Sequence, residues 1–579
     1  MMGKVAVAGI SLILVVGVII GVIATVSRGG DSSDNKNGGL ATGMKAVETL
    51  CGPADFKDVC MKTLSPIAQK NGNATPKDLL QATFEATMEE VKKAVDKSAE
   101  LAKGVTNSTY DKMSIDDCKE VMEYAIYELN KAIRKVSNSE MHTLGQVEGD
   151  LKTWLSAVLA YKSSCIDDIM NPEMKKSMED GLSRTNQHTN NAISIVDEIS
   201  KILSKINVTV PDVKQISQQL NHTSRRLLNS DVELDKDGYP SWFSAADRKL
   251  LAGRNAQLVP NVVVALDGSG QFKSINQALA AYPKNHRGRF IIYVKAGVYR
   301  EYVTVPLNAV NVYMYGDGPR KTVVTGNRNV ALAKYTTKDC GTFTVIGDGF
   351  VAKSMGFLNT AGPEGHQAVA LRVSSDFSAF YNCRIDANQD TLYYNAKRSF
   401  YKNCVISGTV DFIFGMGTAL IQNSKIIARL GNMGQFNALT ADGRDTPKVN
   451  TGVVIQNCQI VPEARLIPQR FVKKSYLGRP WKPYSRTMIM ESVIGDFIRP
   501  EGWFPWEEKK NVPVHIDTCE YREYGNRGPG ANTNGRVKWR GYQAVTDRKV
   551  AQQYTAVPLM DGGRWIPATG GQVTLGLRY

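Results

Sequence analysis

The sequence is short of the residues from which metal centres and histidine-dependent active sites are built. It holds 6 histidines and 9 cysteines in 579 residues. No two cysteines stand in the C-x-x-C spacing of a zinc site. His142 and His188 are isolated in a helical pattern and read as exposed, without a role. There is no Gly-rich phosphate loop. The segment Asp267-Gly268-Ser269-Gly270 lacks the x-G end of a nucleophile elbow, has no histidine placed to serve it, and reads as a turn. These absences argue against zinc, haem, nucleotide and Ser-His chemistry, so the expected chemistry needs neither metal nor cofactor.

Charge is also missing where the chain begins. Val5 to Val26 carries no charged residue, and 22 residues at about 1.5 Å each can span a bilayer core. Lys4 and Arg28 flank it and hardly set an orientation. We read residues 1–40 as a signal-anchor or uncleaved signal with a polar, Gly-rich continuation. This routes the rest of the chain to the secretory lumen, where disulfides form. Four Asn-x-Ser/Thr sequons, at Asn73, Asn107, Asn207 and Asn221, all precede residue 252 and are candidate glycosylation sites.

What is present divides unevenly. A chain of this length exceeds one ordinary domain. Hydrophobic residues make up 42% and charged residues 22%, which excludes global disorder. The net charge of +15 splits into −3 through residue 251 and +18 from residue 252. A basic body joined to a near-neutral one points to an acidic partner for the former.

From residue 41 to 205, Ala, Lys, Glu, Met and Leu recur with helical period. Breaks near Asn71-Gly72, Val105-Thr106, Ser137-Asn138 and Asn171-Pro172 predict four long helices after a short Cys-bearing hairpin, an all-α up-down bundle. The segment Cys51-Gly-Pro-Ala-Asp-Phe-Lys-Asp-Val-Cys60, with Cys118 and Cys165, resembles the plant invertase and pectin methylesterase inhibitor family. The resemblance implies a four-helix bundle with bridges 51–60 and 118–165.

Residues 206–254 lose this period and read as a linker. It contains Arg225-Arg226-Leu227-Leu228 and Arg248-Lys249-Leu250-Leu251, two copies of one basic-dileucine pattern in a segment exposed to proteases. They resemble the subtilase-type processing sites of plant pro-pectin methylesterases. Cleavage after Leu251 would release the basic body.

After residue 260 the texture changes to short β-branched and aromatic runs between Gly, Asn and Asp turns. An Asn follows an apolar or aromatic pair at 359, 382, 403, 423 and 457, with spacings of 23, 21, 20 and 34. A period slightly above 20 with one insertion, and no helix between strands, predicts an all-β parallel β-helix over residues 255–579. The Asn residues are expected to form one ladder.

Residues one period apart stack about 4.8 Å apart. Asp390 and Asp411 are 21 apart, and Gln367 and Gln389 are 22 apart. Gln367, the Gln389-Asp390 pair and Asp411 should therefore lie on three successive coils. Two carboxylates this close separate into an acid and an anion. Leu477-Gly478-Arg479-Pro480-Trp481 holds an Arg on a rigid turn, with a fork suited to a carboxylate and a Trp suited to a sugar face.

Gly297-Val-Tyr299-Arg-Glu301, Gln367-Ala-Val-Ala-Leu371, Gln389-Asp-Thr-Leu392, Asp411-Phe-Ile-Phe-Gly415 and Leu477-Gly-Arg-Pro-Trp481 resemble, in order, the five signature segments of plant pectin methylesterases. The resemblance implies a right-handed parallel β-helix that hydrolyses methyl esters of homogalacturonan. It implies Asp411 as nucleophile, Asp390 as general acid and then base, and Gln389 as oxyanion stabiliser. It also implies substrate contacts from Gln367 and Thr337, orientation of Asp411 by Arg479, a sugar ring on Trp481, and a disulfide between Cys383 and Cys404. Cys340, Cys458 and Cys519 have no assigned partner.

The pattern departs from the family at Met416-Gly417, where Asn-Ala is usual, at Asp442, where Gln is frequent, and at Cys340, where Thr is frequent. The expected partners are methylesterified homogalacturonan, a processing subtilase and a proteinaceous inhibitor. Nucleic acid is not expected, and membrane contact only through the N-terminal segment. The expected form is a monomer destined for the cell wall, its helical region holding it inactive or retained until cleavage. The competing readings are an enzyme that cleaves the pectin chain and a non-catalytic basic wall-binding protein.

Overall fold

A computed structural model of the chain describes residues 36–105, 108–209, 259–284, 286–332, 334–509 and 512–578. The apolar run 5–26, both basic-dileucine sites, Asn107 and Asn221 lie outside the described residues, and Asn207 is described only as part of a helix backbone. No described helix is long and apolar enough to cross a membrane. The chain divides into two compact units, with residues 108–117 at the start of one helix grouped with the second.

The helical unit begins with a hairpin, Lys36–Cys51 and Lys57–Lys70, closed by the Cys51–Cys60 disulfide. Asn191 ties this hairpin to the last helix, accepting from Phe56 N (3.1 Å) and donating to Phe56 O (2.9 Å). Four long helices follow, Pro76–Gly104, Thr109–Ser137, Glu148–Asp167 and Pro172–Thr209. The first starts on a capping box. Thr75 Oγ1 accepts from Asp78 N, the Asp78 carboxylate accepts from Thr75 N, and Pro76 sits where a missing N–H costs nothing. A second disulfide, Cys118–Cys165, joins the second and third long helices. Asn73 is exposed on the turn before the capping box. His142 is exposed, but His188 is not: it is buried on the last helix, and desolvation lowers its pKa and favours the neutral ring.

The second unit is a parallel β-helix of three sheets, with 11, 8 and 7 strands. Seven coils contribute one strand to each sheet in turn, as in Ser378–Tyr381, Arg384–Asp386 and Leu392–Tyr393. Inward Val, Ile, Leu and Phe side chains stack into one continuous interior, including Phe343, Phe357, Phe380, Tyr401 and Ile421. The outer face of the 11-stranded sheet is also apolar. The C-terminal helices Arg548–Gln552, Ala556–Met560 and Gly562–Trp565 cover it, packing Tyr554, Leu559 and Trp565 on Tyr381, Phe400, Leu420 and Met488.

The Asn ladder differs from expectation at one rung. Asn382, Asn403, Asn423 and Asn457 all turn the chain with positive φ, from 51° to 55°. Asn457 Nδ2 donates to Asn423 Oδ1 at 2.8 Å. The row continues from Asn382 to Ser354 (3.0 Å), not to Asn359. Asn359 belongs to strand Gly356–Asn359, where its amide donates to the carbonyls of Arg328, Cys340 and Val369.

The Cys383–Cys404 bridge expected from the family is not formed. Both are buried thiols, as are Cys340, Cys458 and Cys519. Cys383, Cys404, Ser424, Cys458 and Ser492 occupy one interior row, in which a side-chain oxygen or sulfur accepts a backbone N–H from the neighbouring coil. Ser424 Oγ accepts from Cys404 N, Cys458 Sγ from Ser424 N, and Ser492 Oγ from Cys458 N. The thiols of Cys383 and Cys404 lie within hydrogen-bond reach of each other and also meet backbone carbonyls, those of Tyr381 and of Phe380 and Lys402 respectively.

Candidate active site

The turn from the 8-stranded to the 7-stranded sheet brings the candidate residues together. On three successive coils this turn holds Gln367, then Gln389 and Asp390, then Asp411. Gln367 and Gln389 are register partners, and Ala368 N donates to Gln389 O at 3.2 Å. Asp390 N donates to Val410 O at 3.1 Å, which docks Asp390 against the coil of Asp411. Both aspartates have left-handed backbones, φ 62° and 51°. A non-glycine residue adopts this only when its surroundings hold it there, and such strain concentrates at functional sites. Both are almost buried, at 7% and 5% exposure.

Arg479 grips Asp411 with a two-pronged bond, Nε to Oδ1 at 2.9 Å and Nη2 to Oδ2 at 2.5 Å. The loop delivers it there because Gly478 lies flush on the preceding strand. A Cβ at that position would meet Thr440 Oγ1 at 2.1 Å. Thr440 O then accepts Arg479 N at 3.0 Å. Burial works against the Arg479 charge, but the fields of Asp411 and Asp390 and the Asp411 hydrogen bonds outweigh it and raise its pKa.

Two aromatic rings hold the guanidinium from outside the repeat. Trp506 lies 4.3 Å and Phe436 5.1 Å from the Arg479 Cζ. Phe436 belongs to a cluster with Tyr476 and Phe504, and Trp506 opens the antiparallel hairpin Trp506–Lys509 and Val512–Val514. The sequence reading missed both. They come from insertions that do not obey the coil period, and the only available signal was aromatic residues flanking the Arg479 turn.

On its outer face the 7-stranded sheet carries an apolar cluster whose Tyr393 and Phe414 rings are buried and whose Trp481 is partly exposed. Tyr393 stacks on Phe414 with centroids 4.3 Å apart and planes 12° apart, and Phe414 meets Trp481 at 6.1 Å. Cys340, Val369 and Ala441 complete the cluster, with Tyr335 at its edge. A partly exposed ring such as Trp481 suits the apolar face of a sugar. Thr337 lies in the turn that enters this cluster, where its carbonyl accepts the Cys340 S–H. The departures from the family pattern cluster here. Met416 and Trp481 close around Gly443, and a Cβ on Gly443 would come within 2.8 Å of both. Gly417 passes so near the Lys397 carbonyl that a Cβ would be 2.7 Å away.

The first signature segment belongs to the scaffold. Glu301 accepts the N–H groups of Ile275 and Asn276 at the start of helix Ile275–Ala280, and Tyr299 OH donates to Lys295 O. Among the described residues, no cluster of His, Cys, Asp and Glu could hold a metal ion.

Residues 261–563 match the family model Pectinesterase, and residues 45–195 match Plant invertase/pectin methylesterase inhibitor. The chain belongs to the pectinesterase family. It is 41% identical to Pectinesterase 4 of Arabidopsis thaliana over 610 aligned positions, covering all of both chains. It is 40% identical to a pectinesterase/pectinesterase inhibitor of Brassica campestris, covering 98% of this chain and all of that one. Among solved structures, pectin methylesterase from carrot is similar at 46% identity and a TM-score of 0.54, over 56% of this chain and all of that one. The inhibitor match falls on the helical unit and the pectinesterase match on the β-helix, so this pectinesterase carries both parts in one chain.

Proposed function

We propose that the β-helix hydrolyses methyl esters of homogalacturonan, with Asp411 as the nucleophile. The observation that carries this is the bidentate Arg479 contact, which fixes the Asp411 carboxyl in one orientation beside a second, nearly buried carboxyl. Asp411 attacks the ester carbonyl, and the C–OCH3 bond breaks as Asp390 gives its proton to the departing methanol. Water then attacks the resulting acyl-enzyme and passes one proton back to Asp390, Asp411 is restored as the leaving carboxylate, and the pectin carboxyl group gives its remaining proton to solvent. The amide of Gln389 stabilises the oxyanion as it forms, and Gln367 contacts the substrate. Thr337 and Trp481 receive the sugar chain.

In this reading the helical unit restrains the enzyme until a subtilase cuts after Arg225-Arg226-Leu227-Leu228 or Arg248-Lys249-Leu250-Leu251. The protein is then a secreted, monomeric wall enzyme. Methanol release from methylesterified pectin tests the chemistry, measured for the full chain and for a 252–579 fragment. The fragment should be active and the full chain less so. An inactive fragment that is folded rejects the esterase reading, and equal activities reject inhibition by the helical unit.

The +18 charge of the region from residue 252 has a counterpart in the product, which gains one carboxylate per turnover. The fragment should bind de-esterified pectin and elute as salt rises through the range where screening is strong. Elution that ignores ionic strength contradicts this.

A further inference from the structure

A second groove runs along the outer face of the 8-stranded sheet, on the other side of the ridge that carries the catalytic row. Its volume is about 660 Å³, within the usual range for ligand clefts. The floor is a register row of Leu358, Asp386, Ser407 and Ile427 on four successive coils. Asp386 and Ser407 are buried and joined by a 2.6 Å hydrogen bond. Arg384 is fixed by Asp386. On the opposite wall Arg429 pairs with Glu463 at 3.6 Å and donates to Ala387 O at 2.6 Å. Arg465 and Glu364, both exposed, stand at the rim.

Three cations face three carboxylates, so the groove has no net charge. It offers fixed donors and acceptors together, with apolar patches at both ends of its floor. A polyhydroxylated neutral ligand meets all of these needs, whereas an added carboxylate would find no net positive charge to offset its desolvation. Only Ala387 and Asn388 separate Asp386 from Gln389 and Asp390. Four residues of extended chain span at most about 14 Å, so one polysaccharide can cross the ridge and occupy both sides. We propose that this groove is a second carbohydrate site that binds a neutral, still-esterified stretch of the polymer whose neighbouring residues are being hydrolysed. The assignment rests on the esterase reading above. Holding the chain at two places raises its effective concentration at the catalytic row.

The test uses Thr360→Trp, which places bulk in the groove from an exposed rim position, and Arg465→Ala, which removes an exposed rim donor. Neither residue touches the catalytic row. KM and kcat are measured for highly esterified pectin and for a methylesterified trigalacturonate, on whichever form of the chain, intact or processed, releases methanol. The expected result is a rise of roughly fivefold in KM for the polymer, with kcat and the trimer kinetics unchanged. An unchanged polymer KM in both variants overturns the groove alone. So does an equal loss on the trimer, which would mean that the catalytic row itself was disturbed. A wild-type chain that releases no methanol in either form overturns the esterase reading and the groove with it.

Discussion

Asp411→Asn should lower methanol release by about 10⁴-fold or more while leaving the fold intact, because an amide keeps the side chain's shape but cannot form the acyl-enzyme. Activity retained within tenfold would reject Asp411 as nucleophile. Arg479→Lys separates the geometric role from charge alone. A lysine keeps the positive charge but loses the two-pronged contact to Asp411 and the stack between Phe436 and Trp506. Misplacement of a reacting group by about 1 Å costs roughly 10²-fold, which is the loss expected in kcat. Trp506→Ala leaves the salt bridge in place and removes only one ring of the clamp. Its expected effect is roughly tenfold in kcat. Trp506→Phe should recover part of that loss, since a ring face is restored. If Trp506→Ala changed KM alone, Trp506 would be a substrate contact and not a positioning residue for Arg479.

The contrast between Arg479 and its clamp shows which parts of the site can be read from a one-dimensional pattern. Gln367, Gln389, Asp390 and Asp411 obey the coil period, and the period alone puts them in one row. Arg479 is visible because Gly478 and Pro480 mark a fixed turn. Phe436 and Trp506 reach the same place from insertions whose paths are set by tertiary packing, so spacing says nothing about them. The same limit misplaced Asn359. A rule that matches an apolar pair followed by Asn cannot tell a turn residue from the end of a strand, and the true rung is Ser354, which shares only a small polar side chain with the Asn residues above it. Cys383 and Cys404 illustrate the opposite case. Their adjacency follows from the period, but whether stacked thiols join in a disulfide is decided by side-chain direction. The helical unit was legible to within a residue or two at its breaks, because Asn-Gly and Asn-Pro stop helices for local reasons.

Asp442 provides the other large expected effect, and its sign depends on pH. It is fully buried at the end of strand Asn437–Asp442, two residues after the Thr440 that holds Arg479. Its oxygens accept from Arg486 N (2.6 Å), Arg444 N (3.1 Å) and Tyr394 OH (3.1 Å). The nearby guanidiniums turn away to Glu520, with Arg444 Nη1 and Arg486 Nε both 2.9 Å from Glu520 Oε2. Asp442 therefore receives amides but little compensating charge, and desolvation raises its pKa from 3.8 to about 6. In the unfolded chain the carboxyl ionises near its usual value. Between the two values the folded state holds a proton that the unfolded state has lost, so stability falls as pH rises. The contribution is complete below about 4 and is lost as pH passes through about 6, a difference of roughly 3 kcal/mol at most. Asp442→Asn removes the ionisation and preserves the contacts, since its Oδ1 can accept both backbone N–H groups and its Nδ2 can donate to Tyr394 OH. The variant should therefore unfold at nearly the same temperature as the parent at pH 4 and at a clearly higher temperature at pH 7. The measurement is thermal unfolding of both proteins at the two pH values. An equal difference at pH 4 and pH 7 would show that Asp442 does not titrate in this range, and a less stable Asn variant at pH 7 would show that the buried carboxylate is adequately solvated by its two amides and Tyr394.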